Sequence, residues 1–211
     1  MVKTFALFPL QLVVFPGEQL NLHIFEERYR QLVADVEDNN ITFLVSTMMA
    51  GKMQSTATEV TLEEVANRYP SGECDIRTRG GDVYLLEDYY KTMPGKFYPG
   101  GEGSKLEIDY AEDPEMNEEI VDLVKTIYRQ LRVSKEVKSV AEGFLTYDVG
   151  HYVGLTLKGE YELLTLREAR PRQRFLLDHL KDILPNVEEN TGIRDRAELN
   201  GHFKELIPPN F

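Results

Sequence analysis

Hydrophobic residues in this chain follow two periods, and the dominant one changes near Asp113. Before that point, apart from one short stretch, they alternate every second residue, the spacing of a half-buried strand. After it they recur every three to four residues, the spacing of a helix face. Strands gathered before helices define an α+β chain rather than an alternating α/β one. The sequence therefore predicts a β-rich domain over residues 1–112, a barrel or curled sheet with one early helix, and an α-helical bundle subdomain over 113–211.

In the first part, Phe15-Pro16-Gly17 fits a type II turn, with proline setting φ and glycine accepting φ > 0. Leu20, Leu22 and Ile24 alternate with Gln19, Asn21 and His23 as a strand. Phe25, Tyr29, Leu32, Val33 and Val36 then share one helical face, and Asn39-Asn40 ends that helix. Strand patterns follow at Ile41–Ser46, at residues 56–68, at Glu73–Arg79, at Val83–Tyr90 and at Leu106–Tyr110. Pro70-Ser71-Gly72 marks a hairpin and Gly80-Gly81 a bend or bulge. Met93–Gly101 reads as a long, structured loop.

In the second part, Asp113 is suited to cap a helix and Pro114 to open it. Met116, Ile120, Leu123, Val124, Ile127 and Leu131 form its apolar face. The carboxylates crowding Glu102–Asp122 are read as the solvated, dipole-matched start of that helix. Further helices are predicted over Val137–Val149, around Tyr161–Leu166, from Pro171 to Pro185, and around Glu188–Leu206.

Charge excludes more than length does. The 211 residues carry 36 Asp and Glu against 24 Lys and Arg, a net charge of −12. No basic run exists from which to build a phosphate-binding face, so no nucleic-acid partner is expected on this reading. No apolar run approaches the ~20 residues of a membrane span. Pro9 and Pro16 break the apolar N-terminus, which predicts no signal peptide. Cys74 stands alone and can form no internal disulfide, so the expected compartment is the cytoplasm.

Candidate chemistry is sparse. Gly51-Lys52 and Gly95-Lys96 lack the glycine spacing and the Ser or Thr of a phosphate loop. The histidines His23, His151, His179 and His202 show no metal-ligand spacing, so no cofactor and no metal are expected. Asp148 and His151, three apart, are the best candidates for a hydrolytic pair, against the simpler reading of a surface pair. Cys74, on an alternating strand, reads as a buried inert thiol. Near turns stand Phe15, Met48, Met49, Met53, Met93, Phe97 and Tyr98. Methionine adapts its shape and aromatics offer large contact area, which suits peptide binding. Phe15, Met48, Met53, Met93, Phe97 and Tyr98 are the candidate peptide-binding residues. The competing reading is that they cover the ends of the sheet.

The segment from Phe8-Pro-Leu through Phe15-Pro-Gly to Leu22-His-Ile-Phe-Glu-Glu-Arg-Tyr29 resembles the opening of the N-terminal domain of ATP-dependent Lon proteases. Arg79-Gly80, Gly150–Leu155 and Leu176–Pro185 extend the similarity along most of the chain. The resemblance implies a PUA-like β domain followed by a helical subdomain, the part of Lon that binds and selects substrates. Neither an ATPase module nor a Ser-Lys protease domain fits in this length. The expected function is thus a non-enzymatic module that binds unfolded or extended polypeptide, with a protease or chaperone as a further partner. An unrecognised hydrolase and an RNA-binding PUA-like protein stay open as alternatives.

Overall fold

The structure is a computed structural model that describes residues 1–186. Helix signals around Glu188–Leu206 lie outside those residues. The chain divides into two compact units, one from Met1 to Glu107 and a second beginning at Ile108.

The first unit is a six-stranded mixed sheet with one helix. Its elements are β1 (Val2–Leu10), β2 (Gln19–Ile24), α1 (Glu27–Asn39), β3 (Phe43–Met49), β4 (Lys52–Arg68), β5 (Cys74–Tyr90) and β6 (Gly100–Lys105). The strand order is β2-β5-β4-β3-β1-β6, and β6 also pairs with β5, so the sheet closes into a ring with β2 as an arm on β5. β1 and β3 are parallel, with Phe8 opposite Val45. A parallel pair needs a crossover connection, and β2 with α1 supply it.

β1 is buried on both faces. Phe5 and Leu7 join Leu44, Ala57, Tyr84 and Leu86 in a small cluster shared by the ring strands. Ala6, Phe8 and Leu10 face the larger core, where Tyr29, Leu32, Val33 and Val36 of α1 lie over the sheet. The helix ends at Asn40 with φ 50°, a left-handed conformation that asparagine tolerates.

The Phe15-Pro16-Gly17 turn forms as the sequence predicts. Gly17 has φ +80°, and the Glu18 N–H donates to the Phe15 carbonyl at 3.2 Å. The turn seats on Gly80, where an added Cβ would lie 2.4 Å from the Phe15 oxygen. Beyond Gly80, Gly81 and Asp82 oppose the single residue Glu59, the register shift of a β-bulge.

The second unit holds α2 (Pro114–Leu131), α3 (Leu157–Thr165) and α4 (Ala169–Ile183). Asp113 caps α2, its carboxylate accepting from the Glu115 and Met116 amides, and Pro114 sits in the first turn. Ile120, Val124, Ile127 and Leu131 are buried, and α2 packs on α4.

Two predicted elements differ. No strand forms over Leu106–Tyr110: the Leu106 N–H makes the last ladder bond, to the Val83 carbonyl at 2.8 Å, and farther on the Asp109 N–H donates to the Arg167 carbonyl at 2.9 Å instead of to a strand. The strand instead is β6, hidden in the glycines that follow the Met93 loop. Val137–Val149 forms only two 3-10 turns, Val140–Glu142 and Thr146–Val149. Gly143, at φ +78°, separates them, and a left-handed residue ends a helix.

Candidate functional site

Apolar residues that sequence spacing groups as peptide-binding separate by burial. Phe15, Met48 and Tyr98 are core, at 1%, 5% and 1% exposure. Buried this deeply, they present no wall to a ligand, which corrects that assignment. Met53 and Met93 are half-buried and pack against the two core clusters. Phe97 alone projects into solvent, 62% exposed.

The Met93–Pro99 loop is fixed to α1. The Lys96 N–H donates to the Met93 carbonyl at 2.9 Å with Gly95 at φ +75°, a second Pro-Gly turn. Lys96 Nζ donates to Asp35 Oδ1 at 2.8 Å, the Tyr98 hydroxyl to Asp35 Oδ2 at 2.7 Å, and the Phe97 N–H to Gln31 Oε1 at 2.7 Å. Burial alone pushes the Asp35 carboxyl up, but the hydrogen bonds from Lys96 and Tyr98 outweigh it and hold the group below the ordinary aspartate value. Burial and the Asp35 hydrogen bond push the Tyr98 phenol up.

A depressed carboxyl stabilises the folded state above its unfolded pKa of ~3.9 and loses that contribution as pH falls through the lower folded value. Asp35→Asn should therefore lower the melting temperature at about pH 7, with the gap to the parent closing as pH falls through and below the ordinary aspartate range. A gap constant across that range would show that the latch does not depend on the charge.

Beside the same helix lies an open cleft of about 330 Å³. One wall is Thr61–Val65 of β4. The other is the C-terminal turn of α1, with Val36, Glu37 and Asn40, continuing through Ile41 and Thr42. Leu62 and Val65 lean on the core, and Ile41 is 40% exposed. The lining is mixed: Val36, Ile41, Leu62 and Val65 are its apolar residues, and its charges are Glu37, Glu63 and Glu64. Arg68 pairs with Glu37 at 2.5 Å, Arg77 with Glu64 at 2.5 Å, and Arg79 with Glu63. The volume is at the small end of the range of about 300–1,000 Å³ for ligand clefts.

The other face of the β2–β5–β4 arm is polar. Asp75 accepts from the Tyr69 hydroxyl at 2.6 Å and from Asn67 at 3.1 Å, and lies 2.7 Å from His23 Nδ1. The Tyr69 and His23 hydrogen bonds hold its carboxyl low. The shallow pocket there, about 180 Å³, is lined by Asn21, Leu22, His23, Ala66, Asn67, Asp75, Ile76 and Arg77, and the hydroxyl beside the pair, that of Tyr69, donates to Asp75.

Asp148 and His151 do not pair. Asp148 Oδ2 accepts from the Leu145 N–H at 2.8 Å and lies 3.5 Å from Lys138. His151 instead meets Glu160 at 3.1 Å, both side chains at or below 6% exposure. Cys74 is buried, and burial pushes its thiol pKa up, the wrong direction for a nucleophile. Among the described residues no group of three or more His, Cys, Asp or Glu is placed to hold a metal ion, and no helix is long and apolar enough to cross a membrane.

Sequence spacing misses the cleft. Ile41, Leu62 and Val65 read as ordinary strand residues, and nothing local reveals that β4 outruns β3. Apolar Leu62 and Val65 flanking Glu63-Glu64 are the one local hint.

The ring of strands with its early helix and following helices is the fold of Lon N-terminal domains. Two of the solved structures similar to it illustrate the likeness. One is a Lon N-terminal domain protein from Xanthomonas campestris, 24% identical, with TM-score 0.65, covering 83% of this chain and 98% of that one. The other is the N-terminal domain of the Mycobacterium avium complex Lon protease, 16% identical, with TM-score 0.61, covering 85% of this chain and 99% of that one. No family model and no curated protein sequence matches the chain.

Proposed function

We propose that the chain binds extended polypeptide without transforming it, and works in the cytoplasm as an adaptor that presents bound chains to a protease or chaperone. The observation that carries this reading is the open cleft between α1 and β4, where Val36, Ile41, Leu62 and Val65 stand among polar residues and β4 has run past its β3 partner. Such a surface suits a chain with main-chain groups and apolar side chains to offer. The likeness to Lon N-terminal domains supports the same reading. The exposed Phe97, on the loop latched to α1, adds a rigid aromatic contact of the kind that anchors interfaces. Carboxylates in the cleft repel phosphate, which argues against RNA.

Fluorescence anisotropy with labelled, unfolded casein tests the proposal. Saturable binding is expected, with a folded control protein of similar size failing to compete. Absence of any anisotropy change up to the solubility limit of the chain would refute it, as would casein cleavage that persists through further purification.

A further inference from the structure

β4 loses a partner halfway along its length. β3 pairs with it from Met49 opposite Lys52 to Phe43 opposite Val60, and there β3 ends. β4 runs on to Arg68 paired with β5 alone. In an antiparallel ladder the main-chain hydrogen bonds alternate between the two sides of a strand. Over Thr61–Val65 the side away from β5 borders the cleft. Unmatched N–H and C=O groups at a sheet edge are a template for an added strand.

We infer that an extended segment carrying Lys or Arg beside apolar residues docks in this cleft as an added strand on Thr61–Val65. This inference rests on the polypeptide-binding reading and specifies it. The cleft is lined by Glu37, Glu63 and Glu64 and by no Lys or Arg. Each of these carboxylates has an arginine partner, yet the six side chains are between 34% and 61% exposed. Exposed pairs are weak, and a carboxylate keeps lone pairs for a second cation. Beneath the main-chain edge, Val36, Ile41, Leu62 and Val65 receive the apolar side chains that alternate with the basic ones.

The edge also sets a length. The ladder with β5 shifts register between Leu62 and Glu64 and again between Val65 and Asn67. Bulges twist an edge away from a long partner. The guest strand is therefore short, about five residues, and the edge does not template open-ended stacking.

The test uses the full chain and three fluorescein-labelled peptides: alternating Lys and Val, alternating Glu and Val, and the basic peptide with alternate backbone nitrogens methylated. The basic peptide should bind at least about tenfold tighter than the acidic one, and N-methylation should abolish binding. Glu63→Lys with Glu64→Lys should weaken the basic peptide about tenfold or more at unchanged circular dichroism. Glu63→Gln with Glu64→Gln, which creates no repulsion with Arg77 and Arg79, should weaken it by a smaller factor. Equal binding of the methylated peptide, or unchanged affinity in the charge-reversed variant, overturns the inference. If unfolded casein still binds in that case, the strand-addition mode has failed and polypeptide binding stands. If casein fails on the parent chain as well, both fail.

Discussion

Replacing Arg172 with alanine should destabilise the helical unit by about 3–5 kcal/mol, the cost of breaking a buried ion pair from one side. The Arg172 side chain is 0% exposed and that of Glu112 1%. Nε and Nη2 donate to Glu112 Oε1 at 3.1 and 2.8 Å, and Nε also to Thr146 Oγ1 at 2.9 Å. Nη1 reaches the Leu166 and Arg167 carbonyls at 3.1 and 3.3 Å, and Nη2 the Asp109 carbonyl at 2.8 Å. One guanidinium thus ties the start of the unit, a 3-10 turn and α4 together. Alanine would strand the Glu112 carboxylate and three carbonyls in the interior. Urea unfolding followed by circular dichroism at the helix band measures the loss. The double variant Arg172→Met with Glu112→Leu should recover part of it, because removing both charges leaves no unpaired ion. A loss below about 1 kcal/mol for the alanine variant, the worth of an exposed pair, would show that water reaches the site.

Leu32→Ala should cost about 2–5 kcal/mol and act on the sheet unit instead. Leu32 and Tyr29 are 1% exposed and Val36 is 4%, and the Tyr29 ring meets Phe8 edge-on at 4.1 Å between centroids. The cavity would open under the helix that holds both the Phe97 loop and one wall of the cleft. A thermal melt should fall by roughly 10 °C, and peptide affinity should fall with it. An unchanged melt would show that this helix face is not packed.

Legibility in the sequence tracks whether a residue's role is local. The α1 stripe, the Asp113-Pro114 start of α2 and the Phe15-Pro16-Gly17 turn are decided by near neighbours, and each forms where its pattern lies. β6 is the reverse case. Gly100, Gly101 and Gly103 have no side chains to alternate, so the strand reads as loop. The structure supplies the reason: a Cβ on Gly100 would lie 2.4 Å from the Tyr90 ring, and one on Gly101 3.0 Å from Leu7. Those constraints come from strands distant in sequence. Phe97 and Tyr98 illustrate the same limit, since adjacent aromatics with similar propensities end on opposite sides of the surface. The cleft depends on where β3 stops relative to β4, a property of pairing that no single segment encodes.

Closure of the ring also has a consequence during synthesis. β1 emerges first from the ribosome, yet its two neighbours are β3 and β6, with Ala6 opposite Phe43 on one side and Val2 opposite Ser104 on the other. Its apolar run Phe5–Leu10 therefore waits for residues made much later, and the ring cannot shut until Lys105 has cleared the exit tunnel. Pairings this distant form slowly, and nascent chains with uncovered apolar strands are prone to stick to one another. A chain that itself offers a strand-accepting edge thus passes through an interval in which it resembles its own proposed ligands, and its yield in the cell should depend on chaperone supply more than its final stability suggests.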